Sequence, residues 1–243
     1  MAGTQPRVLL SWSGGKDAAW TLHALRQGGG VEVVGLLTTF TEGHDRVSMQ
    51  GVRRALVQAQ ADAAELPLVE AWIPQQCDNA TYEAVFADGL RRAAERWPGL
   101  STIAFGDLLL ADVRDWRAAL CARLGWQALF PLFGMDTGDL ARQMIAGGLE
   151  THLCCVDTQQ LDATYAGRAF DAALLADLPE GVDPCGENGE FHTCVSAGPM
   201  FARPLPVQRG ETVLRDGRFA YTDFILEQDP PWQGRPIAKP RVA

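Results

Sequence analysis

Ser11-Trp12-Ser13-Gly14-Gly15-Lys16-Asp17 decides how the rest of the 243-residue chain is read. It follows the apolar run Val8-Leu9-Leu10 and leads into a helix-compatible stretch, Ala18 to Gln27, so it reads as a strand, a tight glycine turn and a helix start. Gly14 and Gly15 open backbone angles that other residues avoid, and main-chain N–H groups there can approach an anion beside the partial positive charge of a helix N-terminus. Such a turn suits phosphate. Lys16 adds a flexible point charge, Ser11 and Ser13 add hydroxyls, and Asp17 either caps the helix or approaches Mg²⁺. The expected ligand is a nucleotide.

Spacing excludes two commoner phosphate loops. G-x-x-x-x-G-K-[ST] needs a longer loop ending in a hydroxyl residue, whereas Lys16 is followed by Asp17. A dinucleotide loop needs G-x-G-x-x-G and an acid some 20 residues on, where this chain reads Val33-Val34-Gly35-Leu36.

Outward from this turn, apolar runs and helical periodicity alternate. Strands are expected over 31–40, 68–73 and 101–108, with helices over 51–66, 79–97 and from a cap at Asp112 to Leu124. Strands separated by helices of this length pair in parallel through right-handed crossovers, which predicts an open, doubly wound α/β sheet over residues 1–125. Ligands of such sheets lie at the carboxyl ends of the strands, where Thr38, Gly106 and Asp107 join the glycine turn. A smaller α/β lobe is expected over 126–243, with strands at 126–133 and 151–156 and helices at 137–146 and 161–178. A hairpin about Asp216-Gly217 follows, then a proline-rich, irregular tail from Gln228.

The balance of 21 Lys and Arg against 30 Asp and Glu, a net charge of −9, offers no basic field for nucleic acid or an anionic membrane. No run reaches the length of a membrane span, and the N-terminus lacks a signal-peptide pattern, so a cytoplasmic protein is expected. The six cysteines form no C-x-x-C pair and read as reduced thiols, with Cys154 and Cys155 inside a strand-like run.

A second constellation lies at 183–193: Asp183-Pro184-Cys185-Gly186-Glu187-Asn188-Gly189-Glu190-Phe191-His192-Thr193. Its acids, histidine, amide and glycines fall in one turn-rich stretch, and in an extended chain Glu190 and His192 face one side. Positioning an amine, ligating Mg²⁺, acid–base work and a plain polar loop all remain open for it. Arg114 and Arg117 follow Asp107 at helical spacing, either as a carboxylate or phosphate clamp or as a solvated face.

Together, Ser-Gly-Gly-Lys-Asp at 13–17, Phe-Gly-Asp at 105–107 and Gly-Glu-Asn-Gly-Glu-Phe-His-Thr at 186–193 resemble the diphthine-ammonia ligase family of N-type ATP pyrophosphatases, over nearly the whole chain. Met49-Gln50-Gly51, where many relatives read Met-His-Gly, departs from the pattern, and the chain looks like the shorter bacterial branch. The resemblance implies an adenine nucleotide alpha hydrolase-type, Rossmann-like domain that binds ATP and Mg²⁺, with a substrate lobe. It implies a ligase that adenylylates a carboxylate, on a small molecule or a protein, and passes ammonia or another amine to it. Lys16, Asp107, Glu187, Glu190 and His192 are then the expected catalytic residues, and Asp17 the expected Mg²⁺ contact. A homodimer is compatible with the reading. Its rivals are a nucleotide-binding regulatory protein without turnover and an RNA-modifying ATP pyrophosphatase.

Overall fold

The computed structural model describes residues 5–227, so the tail expected to be irregular from Gln228 lies outside the described residues. The chain runs β1 (Arg7–Ser11), α1 (Lys16–Gly28), β2 (Glu32–Thr41), β3 (Arg46–Val47), α2 (Arg54–Ala63), β4 (Leu68–Ile73), α3 (Asn79–Arg96), β5 (Thr102–Ala104), α4 (Ala111–Arg123) and β6 (Gln127–Leu129). Five of these strands pair in parallel in the order β4-β2-β1-β5-β6. The short β3 adds an antiparallel pair at the end of β2. The chain leaves β1 toward β2 and β4, then crosses back to β5 and β6 on the other side. That reversal opens a crevice at the carboxyl ends of β1 and β5, where α/β sheets bind ligands.

β1 shows why both sheet faces must be covered. Val8 and Leu10 pack with α1 and α2 residues such as Leu22 and Leu56, whereas Leu9 packs on the opposite face with Phe86, Leu90 and Leu120 of α3 and α4. All three β1 residues are fully buried, which gives the continuous apolar run of a parallel strand. Burying each such side chain contributes about 1.5–3 kcal/mol.

Three expectations need correction. The strand expected to open the second lobe at 126–133 is β6, only three residues long, and it pairs with β5 in the first sheet. Asp112 does not cap α4: Leu110 holds that position without a side-chain bond, and Asp112 sits in the first turn, where its charge complements the helix dipole. The helix expected over 161–178 is a 3-10 turn (Ala163–Tyr165) followed by the short α6 (Ala172–Asp177). Between them Gly167 takes φ +81°, and the backbone bonds a neighbouring strand instead of continuing the helix, with Leu153 N donating to Arg168 O and Phe170 N to Thr151 O. Asp171 then caps α6 by accepting from Leu174 N.

The second sheet is antiparallel throughout, in the order β8 (Phe191–Ala197), β7 (Glu150–Asp157), β10 (Phe219–Leu226), β9 (Val207–Arg215). α5 (Thr137–Ala146), capped by Asp136, precedes it. One apolar core runs from α1 and α2 into this sheet, through residues such as Trp12, Leu153, Phe191 and Val195. The seam also carries charge, because Asp223 of β10 accepts from both Arg46 and Arg53. Burial opposes ionisation of Asp223, but those guanidinium bonds outweigh it and hold the carboxyl below its ordinary range.

Candidate active site

The glycine turn is shaped from three sides. Trp12 N bonds Leu37 O at 2.8 Å, keeping the exit of β1 beside β2. Gly14 has φ +80°, and a Cβ there would lie 3.0 Å from Gln60 Oε1. Gly15 is extended at the N-cap of α1, and its Cβ would lie 3.1 Å from Thr193 O of β8. Gly14 is favoured by its positive φ, and at both glycines a Cβ would press on α2 or β8 and make the neighbour give way. Gly106 has the same role at the exit of β5, since a Cβ would meet Asp17 C at 2.8 Å and Ala18 N at 2.9 Å. The close approach brings Asp107 to the first turn of α1.

Lys16 is only 2 % exposed, and its Nζ bonds both carboxylate oxygens of Asp17 at 2.9 and 2.8 Å, over the rings of Phe191 and Phe170. Burial works to lower the lysine pKa, but neighbouring negative charge, Asp17 foremost, outweighs it and the net shift is upward, so Lys16 is a cation near neutral pH. For Asp17 burial dominates in the other direction and raises its pKa against the pull of Lys16. Asp107 is likewise raised, first by burial, with Arg117 opposing through a 3.0 Å ion pair and Asp17 adding to the rise.

The 183–193 stretch divides into residues turned inward and one, Glu187, that reaches the first lobe. Glu190 is buried and saturated: its Oε1 accepts from Asp183 N and Asn188 Nδ2, and its Oε2 from Asn188 N. Asp183 accepts from Cys185 N, Glu187 N and the Thr137 hydroxyl. These two carboxylates hold the loop, and the side-chain hydrogen bonds of Glu190 all go to Asp183 and Asn188 within it. Glu187 instead reaches the first lobe, where its Oε2 accepts from Leu108 N and Leu109 N, immediately after Gly106-Asp107. Burial, reinforced by Asp17 and opposed by Lys16, pushes its pKa up to about 7. His192, on β8, is held neutral, pushed down to about 4 by burial and by the Lys16 cation.

Other expected residues play different parts. Ser11 ends β1 in register with Leu37, and Ser13 Oγ accepts from Gly15 N. The buried Thr38 hydroxyl donates to Trp12 O at 2.7 Å, so it braces the strand ends and is not turned to a ligand. Arg114 pairs with its neighbour Asp115 and lies over Phe133, so it forms no clamp with Arg117. All six cysteines are free. Burial raises Cys121 to about 11 and Cys155, Cys185 and Cys194 to about 12, so none of these four is a thiolate near neutral pH. A cavity of about 220 Å³ beside Arg46, Gly51, Val213 and Tyr221 excludes Lys16, Asp107 and Glu187 from its lining and is separate from this site.

Sequence reasoning missed Gln60, Thr193 and the Asp157–Arg218 pair. Thr193 Oγ1 accepts from Lys16 N at 2.9 Å. Asp157 is bound by Arg218, and Gln160 links it onward to Asn188 O, so it braces the loop from behind. A lone buried glutamine on a helix carries no local signal of such a role.

Two family models match the chain, one in each half. The sequence model of the diphthamide synthase N-terminal domain matches residues 6–128, and that of the diphthamide synthase C-terminal domain matches residues 136–222. The chain belongs to the diphthamide synthase family. Three relatives are each named diphthine–ammonia ligase. The one from Schizosaccharomyces pombe is 27% identical over 93% of this chain, which spans 41% of that protein's length. That from Danio rerio is 27% identical over 90% of this chain and 93% of its own length, and that from Homo sapiens 25% identical over 86% and 85%. The N-terminal match ends at residue 128, inside β6, the strand that pairs with β5 in the first sheet. Among the described residues, no helix of this family member is long and apolar enough to cross a membrane.

Proposed function

We propose that the chain is an ATP-dependent amide-forming ligase acting in two steps. A carboxylate oxygen of the acceptor attacks the α-phosphorus of ATP, the bond from that phosphorus to the β-phosphate oxygen breaks, and pyrophosphate leaves behind an acyl-adenylate. Ammonia then attacks the acyl carbon, the carbon–oxygen bond to the adenylate breaks, AMP leaves with the bonding pair, and the nitrogen gives up one proton to the departing AMP phosphate or to solvent. The names of the relatives point to diphthine as their acceptor; here the acceptor is assigned only as a carboxylate.

The observation that carries this reading is the position of Glu187. A carboxyl from the second lobe is seated on the N–H groups of Leu108 and Leu109, within the fields of Lys16 and Asp17. With a pKa near neutrality it can take the proton that an ammonium ion must lose before its nitrogen becomes a nucleophile. Lys16 and the first turn of α1 supply fixed positive charge for the departing pyrophosphate. Arg117 orients Asp107. Glu190 acts by holding the loop that carries Glu187.

Among the described residues, no group of three or more His, Cys, Asp or Glu side chains is placed to hold a metal ion, and Asp17 already gives both oxygens to Lys16. Mg²⁺ suits this donor set when it is carried by the phosphates and needs one or two protein carboxylates. Asp107 would supply one through the oxygen that Arg117 does not hold. Bound there, the ion would neutralise charge on the leaving pyrophosphate. The raised thiols at Cys121, Cys155, Cys185 and Cys194 weigh against a sulfur-transfer reading.

Incubation with ATP, ¹⁵N-ammonium and a panel of carboxylates tests the proposal. The expected result is ¹⁵N in a new amide, formed one-for-one with AMP. AMP release that neither needs ammonium nor leaves nitrogen in any product would count against it.

A further inference from the structure

We infer that Gln60 is the positioning residue of the phosphate loop, and that through it the loop takes its shape only with the second lobe seated. Gln60 lies on α2, has no solvent exposure and uses both ends of its amide. Its Oε1 accepts from the Trp12 indole N–H at 3.0 Å, and its Nε2 donates to Gly14 O at 3.0 Å and to Val195 O at 2.8 Å. Val195 N donates to the same Gly14 oxygen at 3.0 Å. The Gly14 peptide is thus held between a side chain of the first lobe and a backbone N–H of β8. Two residues along β8, the Thr193 hydroxyl receives Lys16 N.

An amide is the side chain this place needs. It must accept from an indole and donate to two carbonyls, and among the uncharged side chains only a carboxamide offers an acceptor oxygen and two donor hydrogens in one plane. A carboxylate would face Gly14 O and Val195 O with no proton, and a thioether would leave both carbonyls and the indole N–H without this partner. Gly14 takes φ +80°, and a Cβ there would lie 3.0 Å from Gln60 Oε1, so its absence leaves the amide room at this distance.

The inference rests on the phosphate-binding reading of the loop, so its test uses a ligand that needs the loop and one that does not. ATP and adenosine are titrated calorimetrically into the full-length wild type, Gln60→Met and Gln60→Glu, with melting temperatures alongside. Expected for Gln60→Met is ATP affinity at least tenfold weaker with adenosine affinity within twofold of wild type. Gln60→Glu should show the same split at pH 8, and part of its ATP deficit relative to wild type should close at pH 6, where a protonated carboxyl can donate to one carbonyl. Gln60→Glu keeps the size and shape of the side chain, so it carries the test if Gln60→Met does not fold. ATP affinity equal to wild type in either folded variant at pH 8 overturns the inference. A parallel loss of ATP and adenosine also overturns it, because that marks general damage to the domain. Wild-type protein that binds adenosine but gains nothing from the phosphates would refute the phosphate-loop reading itself, and the role of Gln60 with it.

Discussion

The phosphate loop at 13–17 and the loop at 183–190 meet in one site but are built by opposite means. The first is made of backbone, with two glycines, a helix N-terminus and neighbours that a Cβ would crowd. The second is made of side chains: Asp183 and Glu190 turn inward and take up the loop's own N–H groups, leaving Glu187 to reach across to Leu108 and Leu109. Backbone sites can be read from glycine spacing. In a carboxylate-braced loop identical residue types serve as frame and as reagent, and only the hydrogen bonds tell them apart.

The largest effect is expected at Lys16. Lys16→Met removes the one cation of the loop and leaves the half-buried Asp17 without its ion-pair partner, and turnover should fall by about 10²–10³-fold, the scale of losing a key electrostatic stabiliser. Next comes Glu187→Gln, which should lower amide formation about 10²-fold while ATP affinity stays within a few-fold. The wild-type rate with ammonium should rise with pH through about 7, because the base works deprotonated, and the variant should lose that limb. A limb that survives the substitution would assign the titration to another group.

The frame residue separates from the reagent in stability. Glu190→Gln turns one acceptor oxygen into a donor facing N–H groups, and should destabilise the fold by about 1–3 kcal/mol in chemical denaturation. Its turnover should fall less than that of Glu187→Gln. A Glu190→Gln protein of wild-type stability with turnover as low as Glu187→Gln would make Glu190 a reagent after all. The smallest effect on catalysis is expected for Arg218→Ala. Arg218 bonds hold Asp157 down at about 2, against burial, so the folded pKa lies below the unfolded value of about 3.9. The stability from this pair is therefore present above about pH 4 and lost as pH falls toward 2. The variant should lose it at neutral pH and show a weaker dependence on pH across that window.

Much of the first lobe was legible because its signals are local. Apolar runs such as Leu68 to Ile73 lie within β4, and Asn79 to Arg96 is helical with Asp78 as its cap. The strand expected over 101–108 is shorter, Thr102–Ala104, and Gly106 and Asp107 lie just past its end. The second lobe was less legible, because Phe170 and Arg168 bond β7 through backbone atoms where side-chain periodicity had suggested a helix. Glu187 and Glu190 looked alike for a similar reason: spacing places both in one loop but says nothing of which N–H groups each receives. Thr38 misled in the opposite way, as a hydroxyl at a strand end whose proton goes to Trp12 O.

Product analysis tests the central claim most directly. With ATP, ammonium and a competent carboxylate, the account predicts AMP and pyrophosphate in equal amounts, inhibition by α,β-methylene ATP, and turnover of β,γ-methylene ATP as a substrate. Release of ADP and orthophosphate without AMP would contradict it, because the bond broken would then lie between the β- and γ-phosphates and no acyl-adenylate would form.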